Sequence, residues 1–270
     1  MNNTHISINT AEFRQFKLWL HDAAGIDLKE TKMKLVEGRL ACRLRHYDIS
    51  SYATYFKMIT SKKNSIEAQV AIDLLTTNET YFFREPNHFE LLTNKILHQV
   101  PNNKVFRLWC AASSTGEEPY TLAMTLAENL GTTPWQIVAS DINQQVLEKA
   151  RSGHYAMERA HNISKHLLQK YCLKGSGPQE GTFLINKVLR DKIQFEQINL
   201  VKALPNIGKF DVIFLRNVMI YFDNETKEKV VNKIFDLLNP GGFLFVSHSE
   251  SLVGINTQLK ALQPSLFMKP

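Results

Sequence analysis

Glu117 and Glu118 stand side by side where a strand-like run passes through small residues into an amphipathic helix, in VFRLWCAASSTGEEPYTLAMTLAENL at 105–130. The opening run 105–112 has the length and β-rich character of a buried strand. Ser113, Ser114, Thr115 and Gly116 let a ligand come close to the backbone, and the first helical turn offers it unpaired N–H groups. Pro119 suits that first turn, where no N–H is missed. Neither GxxxxGK[ST] nor GxGxxG occurs, so this is no phosphate loop and no dinucleotide fingerprint. Two readings of the acidic pair stay open. Carboxylates at a helix N-terminus are stabilised by its dipole, which is simple capping. Alternatively one of them meets a cationic ligand, and a molecule carrying both a sulfonium and an ammonium, as S-adenosylmethionine does, would suit it.

Other residues with chemical potential fall at strand ends. Asp141 closes the strand WQIVASDI at 135–142, and an acidic residue at the tip of the second strand of a doubly wound sheet is placed to take two ribose hydroxyls. Asn199 and Leu200 close a strand that returns to the sheet. FDVIFLRNVM at 210–219 is a buried strand bearing Arg216 and Asn217 at its carboxyl end, where ligands of open α/β sheets sit, and Tyr221 follows. Upstream, TTNETYFFREPNHF at 76–89 packs polar and aromatic residues around Arg84, a cation costly to bury without a partner. It reads as a linker whose Phe82 and Phe83 plug a core, or as a binding element laid across the next domain's pocket.

These residues need a frame. At 270 residues and 44% hydrophobic content the chain is long enough for two domains with ample core. Cys42, Cys110 and Cys172 are scattered, which predicts reduced thiols in a cytoplasmic protein and no metal site. No run of about 18 apolar residues predicts membrane insertion, and no signal segment is recognisable. The net charge of +6 favours an acidic partner without naming one. Residues 1–75 read as a helical domain, with one helix from Thr10 in which Phe13, Phe16 and Leu20 recur at three-to-four spacing and a second over 30–45 with Met33, Val36, Leu40 and Leu44 on one face. Lys32, Arg39 and Arg43 fall together beside that apolar face, either as a solvated basic stripe or as a docking stripe for an acidic helical partner. Residues 76–90 form the linker and 91–270 the α/β domain. Within the latter, 160–192 reads as an inserted hairpin subdomain with a strand over 182–189, a strand over 193–200 then returns to the sheet, and the tail 265–268 supplies a final antiparallel edge. The expected class is α/β: a Rossmann-like doubly wound sheet with a small inserted β-subdomain, after an all-helical N-terminal domain.

Five blocks then occur in order: TTNETYFFRE at 76–85, WCAASSTGEEPYTLAM at 109–124, ASDINQQVLEKARSGHY at 139–155, FLRNVMIYFD at 214–223 and LLNPGGFLFVSHSESL at 237–252. In them the sequence resembles the CheR-type chemotaxis receptor protein-glutamate O-methyltransferases. The resemblance implies transfer of a methyl group from S-adenosylmethionine to receptor glutamates, releasing S-adenosylhomocysteine and leaving a γ-methyl ester. It places cofactor contacts on Asn78, Thr80, Arg84, Glu118, Asp141, Asn199, Leu200, Arg216 and Asn217, with Arg84 and Tyr221 lining the reaction site. It makes Lys32, Arg39 and Arg43 the receptor-docking stripe, and it suggests that the GSGPQEG turn at 175–181 belongs to a β-subdomain gripping a receptor's C-terminal tethering peptide. A monomer is the default expectation. A nucleic-acid methyltransferase is disfavoured, because the stretch after the fourth strand reads RNVMIYF rather than [DNS]PP[YF] and no aromatic single-strand platform stands out. A cofactor-binding, receptor-docking module without catalysis remains the rival.

Overall fold

The computed structural model describes residues 6–61 and 63–270, in two compact units. One comprises the chain up to Thr77 together with Tyr221–Thr226; the other comprises Asn78–Ile220 and Lys227–Pro270. Residues 1–5, which fall within the expected helical domain, and residue 62 lie outside the described residues.

The first unit is built from α1 (Thr10–Ala24), α2 (Met33–His46), α3 (Tyr52–Thr60) and α4 (Ser65–Leu75). Helix α1 starts where the sequence signals it. Asn9 Oδ1 accepts from the Glu12 N–H at 2.9 Å while the Glu12 carboxylate accepts from the Asn9 N–H at 2.9 Å, a reciprocal capping box. Gly25, at φ 73°, ends the helix in the left-handed conformation. Phe13, Phe16 and Leu20, Val36, Leu40 and Leu44 of α2, and Tyr52 and Tyr55 of α3 are fully buried, with the Phe16 ring against those of Tyr52 and Tyr55.

The second unit opens with α5 (Asn87–Leu91), which runs into a π-helical turn over Leu92–Ile96. The main elements are β1 (Phe106–Cys110), α6 (Glu117–Asn129), β2 (Trp135–Asp141) and α7 (Gln144–Ser152). There follow β3 (His154–Ala156), α8 (Lys165–Tyr171), β4 (Cys172–Lys174), β5 (Thr182–Ile185) and α9 (Lys187–Arg190). The chain returns through β6 (Ile193–Gln197), β7 (Phe210–Phe214), α10 (Asn224–Leu237), β8 (Leu238–Phe245), β9 (Lys260–Gln263) and β10 (Leu266–Met268). The large sheet runs β6-β2-β1-β7-β8-β10-β9, parallel from β6 to β8, with β10 antiparallel to both β8 and β9. From β1 the chain proceeds outward to β2 and β6, then resumes on the other side at β7. Strand order therefore reverses between β1 and β7, and a crevice opens there at the carboxyl ends.

Three expectations need correction. The inserted sheet, β3-β5-β4, begins at His154 rather than near 160. Leu189 lies in the short helix α9, not in a strand, and is fully buried there. The tail strand β10 is not the sheet's edge: β9, an unforeseen strand whose exposed residues show no apolar alternation, covers it.

Candidate active site

The turn after β1 is shaped by two left-handed residues, Ser114 at φ 47° and Gly116 at φ 97°. Glycine is required at 116, because a Cβ there would lie 2.7 Å from the Tyr155 hydroxyl and 2.9 Å from the Ala150 Cβ. Asp141, buried at the tip of β2, accepts the Ser114 N–H on Oδ2 at 2.9 Å and the Asn143 N–H on Oδ1 at 3.0 Å. Ser114 Oγ in turn donates to the Asn78 carbonyl at 2.8 Å. Asn78, the small-residue turn and Asp141 are thus one connected arrangement.

The two adjacent glutamates have separate partners. Glu117, 1% exposed, is bound by the Arg159 guanidinium and by the Thr115 hydroxyl at 2.6 Å. Arg159 also donates to the Thr80 carbonyl at 2.8 Å, so one arginine ties the linker to the turn. Glu118 takes Arg216 Nη1 on Oε2 at 2.6 Å and the Cys110 thiol on Oε1 at 3.1 Å. Burial and that carboxylate push the Cys110 thiol well above its ordinary range, so it stays protonated and donates.

Arg216 is wholly buried, over the rings of Phe89 and Phe214. Besides Glu118 it reaches the Arg84 carbonyl at 2.6 Å and the Glu85 carboxylate at 3.3 Å. Burial alone would raise the Glu85 pKa, but Arg216 and donors from His248, Ser247 and Asn217 outweigh it and bring it down to about 2. Burial, then Arg216, depress His88 to about 3, so its imidazole is neutral. Among the described residues, Glu85, His88 and His248 bring potential ligand atoms within 4.8 Å of one another. The Arg216 guanidinium lies 3.3 Å from Glu85 and supplies its counter-charge.

Asn217, at φ 58°, donates from Nδ2 to Ser247 Oγ at 2.8 Å and to Glu85 at 3.3 Å. Its own N–H and those of Val218, Met219 and Ile220 converge on the buried Glu250 carboxylate, at 2.7–3.3 Å. Leu200 is buried, and its carbonyl, with those of Val201 and Lys202, is held by Lys233 Nζ at 3.2, 2.9 and 2.7 Å. Asn199 Oδ1 caps the same turn through the Val201 N–H at 3.1 Å. Arg84 donates to the Glu79 carbonyl at 2.8 Å and lies 5.6 Å over the Tyr81 ring.

Of the residues singled out in the sequence, the second unit joins Asn78 to Asp141, and Glu118 to Arg216 and thence to Arg84. Tyr221 belongs to the helical unit, where its carbonyl accepts the Asp27 N–H at 2.8 Å and its neighbour Asp223 bonds His21 at 2.7 Å. The basic stripe needs reinterpretation. Lys32 is exposed, but Arg39 donates to the carbonyls of Leu75 and Thr76 at 3.0 and 2.8 Å, ending α4. Arg43 is paired with Glu67. Both guanidiniums are half-buried and engaged within the helical unit.

Sequence reasoning passed over Glu85, Arg159, Lys233 and Glu250. Each acts through carbonyls, N–H groups or charges far away in the chain, and no periodicity marks such a residue; a charge adjoining Arg84 was the one available signal for Glu85.

The donors fit S-adenosylmethionine. Asp141 is an anionic acceptor at a strand tip, Glu118 is a carboxylate on the first turn of α6, and the buried Ser113 hydroxyl of the same turn has no hydrogen-bond partner among the described residues. A family model described as "CheR methyltransferase, SAM binding domain" matches residues 78–267, and one described as "CheR methyltransferase, all-alpha domain" matches 11–76. The chemotaxis protein methyltransferase of Escherichia coli is 42% identical over 249 residues, 91% of this chain and 86% of that protein. Chemotaxis protein methyltransferase 2 of Pseudomonas aeruginosa is 39% identical over 268 residues, 98% and 95% of the two chains. Among solved structures, TrmN from Thermus thermophilus covers 66% of this chain and 46% of its own at 16% identity, with a TM-score of 0.39, a likeness too distant to carry weight. With both family models matched in order and relatives aligned over nearly its full length, the chain belongs to the CheR methyltransferase family and is an S-adenosylmethionine-dependent methyltransferase of chemotaxis.

Proposed function

We propose that the protein methylates glutamate side chains in the cytoplasmic helical region of chemotaxis receptors, for sensory adaptation. The observation that carries this reading is the family match across both segments of the chain. The cofactor supplies a methyl group activated on a sulfonium. A glutamate carboxylate has a pKa of about 4.3 and is already ionised at neutral pH, so it attacks in line without a general base. The chain's contribution is therefore positioning and desolvation.

In this reading Asp141 holds the ribose, Leu200 lies against the base and Asn199 beside it, Glu118 faces the ammonium, and Asn78, Thr80, Arg216 and Asn217 complete the cofactor site. Glu117, committed to Arg159, shapes the turn instead. Arg84 orients the acceptor carboxylate and the Tyr221 hydroxyl donates to one of its oxygens, leaving the other for attack. Arg84→Ala and Tyr221→Phe are expected to lower kcat at saturating cofactor, Tyr221→Phe with cofactor affinity retained; wild-type turnover in both would remove these roles.

Helix α2 docks the receptor. Lys32 supplies charge directly, while Arg39 and Arg43 act mainly by holding α2 against α4. The edge strand β4 of the inserted sheet, with Leu173 54% exposed, is suited to pairing with an extended tethering peptide. The protein works in the cytoplasm as a monomer; among the described residues no helix is long and apolar enough to cross a membrane.

The test is incubation of the purified protein with methyl-labelled S-adenosylmethionine and receptor-containing membranes, followed by mild alkali. Receptor-dependent label released as volatile methanol supports carboxyl methylation. Alkali-stable label, or none despite bound cofactor, refutes it.

A further inference from the structure

Arg84 is bracketed by two non-glycine residues in the left-handed region, Phe83 at φ 55° and Glu85 at φ 58°. Such conformations are strained and persist where the surroundings over-determine them. The surroundings here are specific. The Phe83 N–H donates to Thr121 Oγ1 on α6 at 3.1 Å, and the Arg84 carbonyl accepts from the buried Arg216 at 2.6 Å.

Glu85 carries most of the load. Its Oε1 accepts from Ser247 Oγ at 2.8 Å and Asn217 Nδ2 at 3.3 Å. Its Oε2 accepts the His248 N–H at 3.1 Å and lies 3.3 Å from Arg216 and 3.4 Å from His88 Nδ1. The partners come from the segment after β7, the segment after β8, and α5, so one carboxylate fastens the strained tripeptide to three separate pieces of chain. Among the described residues the side chain of Arg84 has no comparable anchoring: one bond, to the Glu79 carbonyl, and the Tyr81 face. The direction in which that side chain leaves the backbone is therefore set by the conformation that Glu85 imposes.

We propose that Glu85 is a positioning residue for methyl transfer: it touches neither substrate nor cofactor, and acts by locking the Phe83–Arg84–Glu85 backbone so that Arg84 meets the acceptor carboxylate. This rests on the role assigned to Arg84 above. The test is a double-mutant cycle on the full-length protein, with Glu85→Gln made alone and in the Arg84→Ala background. Readouts are kcat, KM for S-adenosylmethionine, and cofactor affinity by titration calorimetry. Glutamine keeps the shape but loses the charge, and its amide N–H₂ opposes donors. Misplacing a group by about 1 Å typically costs roughly 100-fold, so kcat is expected to fall about 10- to 100-fold with cofactor affinity changed less than about threefold. In the Arg84→Ala background the same change should cost less than about twofold, because coupled residues are non-additive.

Equal falls in both backgrounds would overturn the proposal, as would weaker cofactor binding with kcat at saturation unchanged, which would place the action of Glu85 on Arg216 and Asn217 instead. Should Arg84→Ala alone retain full turnover, the assignment of Arg84 fails first and the proposal with it. Glu85→Asp, which keeps the charge on a shorter stem, distinguishes loss of folding from loss of alignment: a folded, partly active Glu85→Asp beside a folded, inactive Glu85→Gln supports alignment.

Discussion

Arg43→Ala separates the architecture of the helical unit from docking. The guanidinium donates from Nε and Nη2 to the two oxygens of Glu67 at 2.8 and 2.6 Å, and Glu67 also accepts from the hydroxyls of Tyr55 at 2.6 Å and Tyr47 at 2.9 Å. The Glu67 side chain is 7% exposed and that of Arg43 21%. Removing one member of a buried ion pair costs about 3–5 kcal/mol, because the other charge is left uncompensated. Here the arginine is partly solvated and two phenols still serve the carboxylate, which reduces the expected loss to about 2–3 kcal/mol. Adding Glu67→Gln removes the stranded charge and should recover at least half of that loss. Urea unfolding followed by circular dichroism, on both single variants and the double, measures each corner of the cycle. The reasoning is refuted if Arg43→Ala stays within about 0.5 kcal/mol of wild type, the range of an ordinary surface change, or if Glu67→Gln adds to the loss. Any fall in receptor methylation by Arg43→Ala must then be corrected for unfolded protein before it is read as lost docking.

Asp141→Asn removes the charge and sets an amide N–H₂ against one of the two N–H donors, that of Ser114 or of Asn143; cofactor affinity by calorimetry should fall about 10- to 100-fold, equivalent to one or two lost charge-assisted bonds. Gly116→Ala should cost about 2 kcal/mol or more in chemical denaturation, since the new methyl meets Tyr155 and Ala150 in a left-handed backbone. Acid stability has a definite sign. Glu85, Glu128 and Asp223 are all brought down to about 2: Glu85 against the effect of burial by Arg216, Glu128 chiefly by Lys170, and Asp223 chiefly by the Thr226 N–H. Carboxylates depressed below their unfolded values of about 3.9–4.3 contribute stability that is present above that range and lost as pH falls toward 2. Urea midpoints should therefore drop steeply from pH 4 to pH 3, and Glu128→Gln should flatten that drop.

The strand–turn–helix unit around Glu117 was legible because apolar runs, small residues and a helix start are local signals, and the same holds for Asp141 at the tip of β2. The start of α1 at Thr10 and its apolar face were legible for the same reason; on α2, Val36, Leu40 and Leu44 are buried as expected and Met33 only in part. What the sequence hid were contacts between distant positions. Arg43 and Glu67 lie 24 residues apart and Glu85 and His248 lie 163 apart, so a helical wheel saw only a basic stripe and a reading of the linker saw only Arg84. Strand β9 was missed because its exposed residues carry no alternation; only pairing with β10 makes it a strand. Leu189 joined a helix because Asn186 caps a short turn there, its side chain accepting the Val188 N–H at 3.2 Å.

The short segment Tyr221–Thr226 has a consequence for how this enzyme can be taken apart. It lies deep in the sequence of the sheet-bearing half, yet its partners are His21 of α1 and Asp27 of the loop that follows it. A fragment cut between Thr77 and Asn78 would retain every strand and still lose the anchor of Tyr221. For the same reason an exchange of the N-terminal segment among relatives must bring groups matching His21 and Asp27, or Tyr221–Thr226 loses the contacts that hold it.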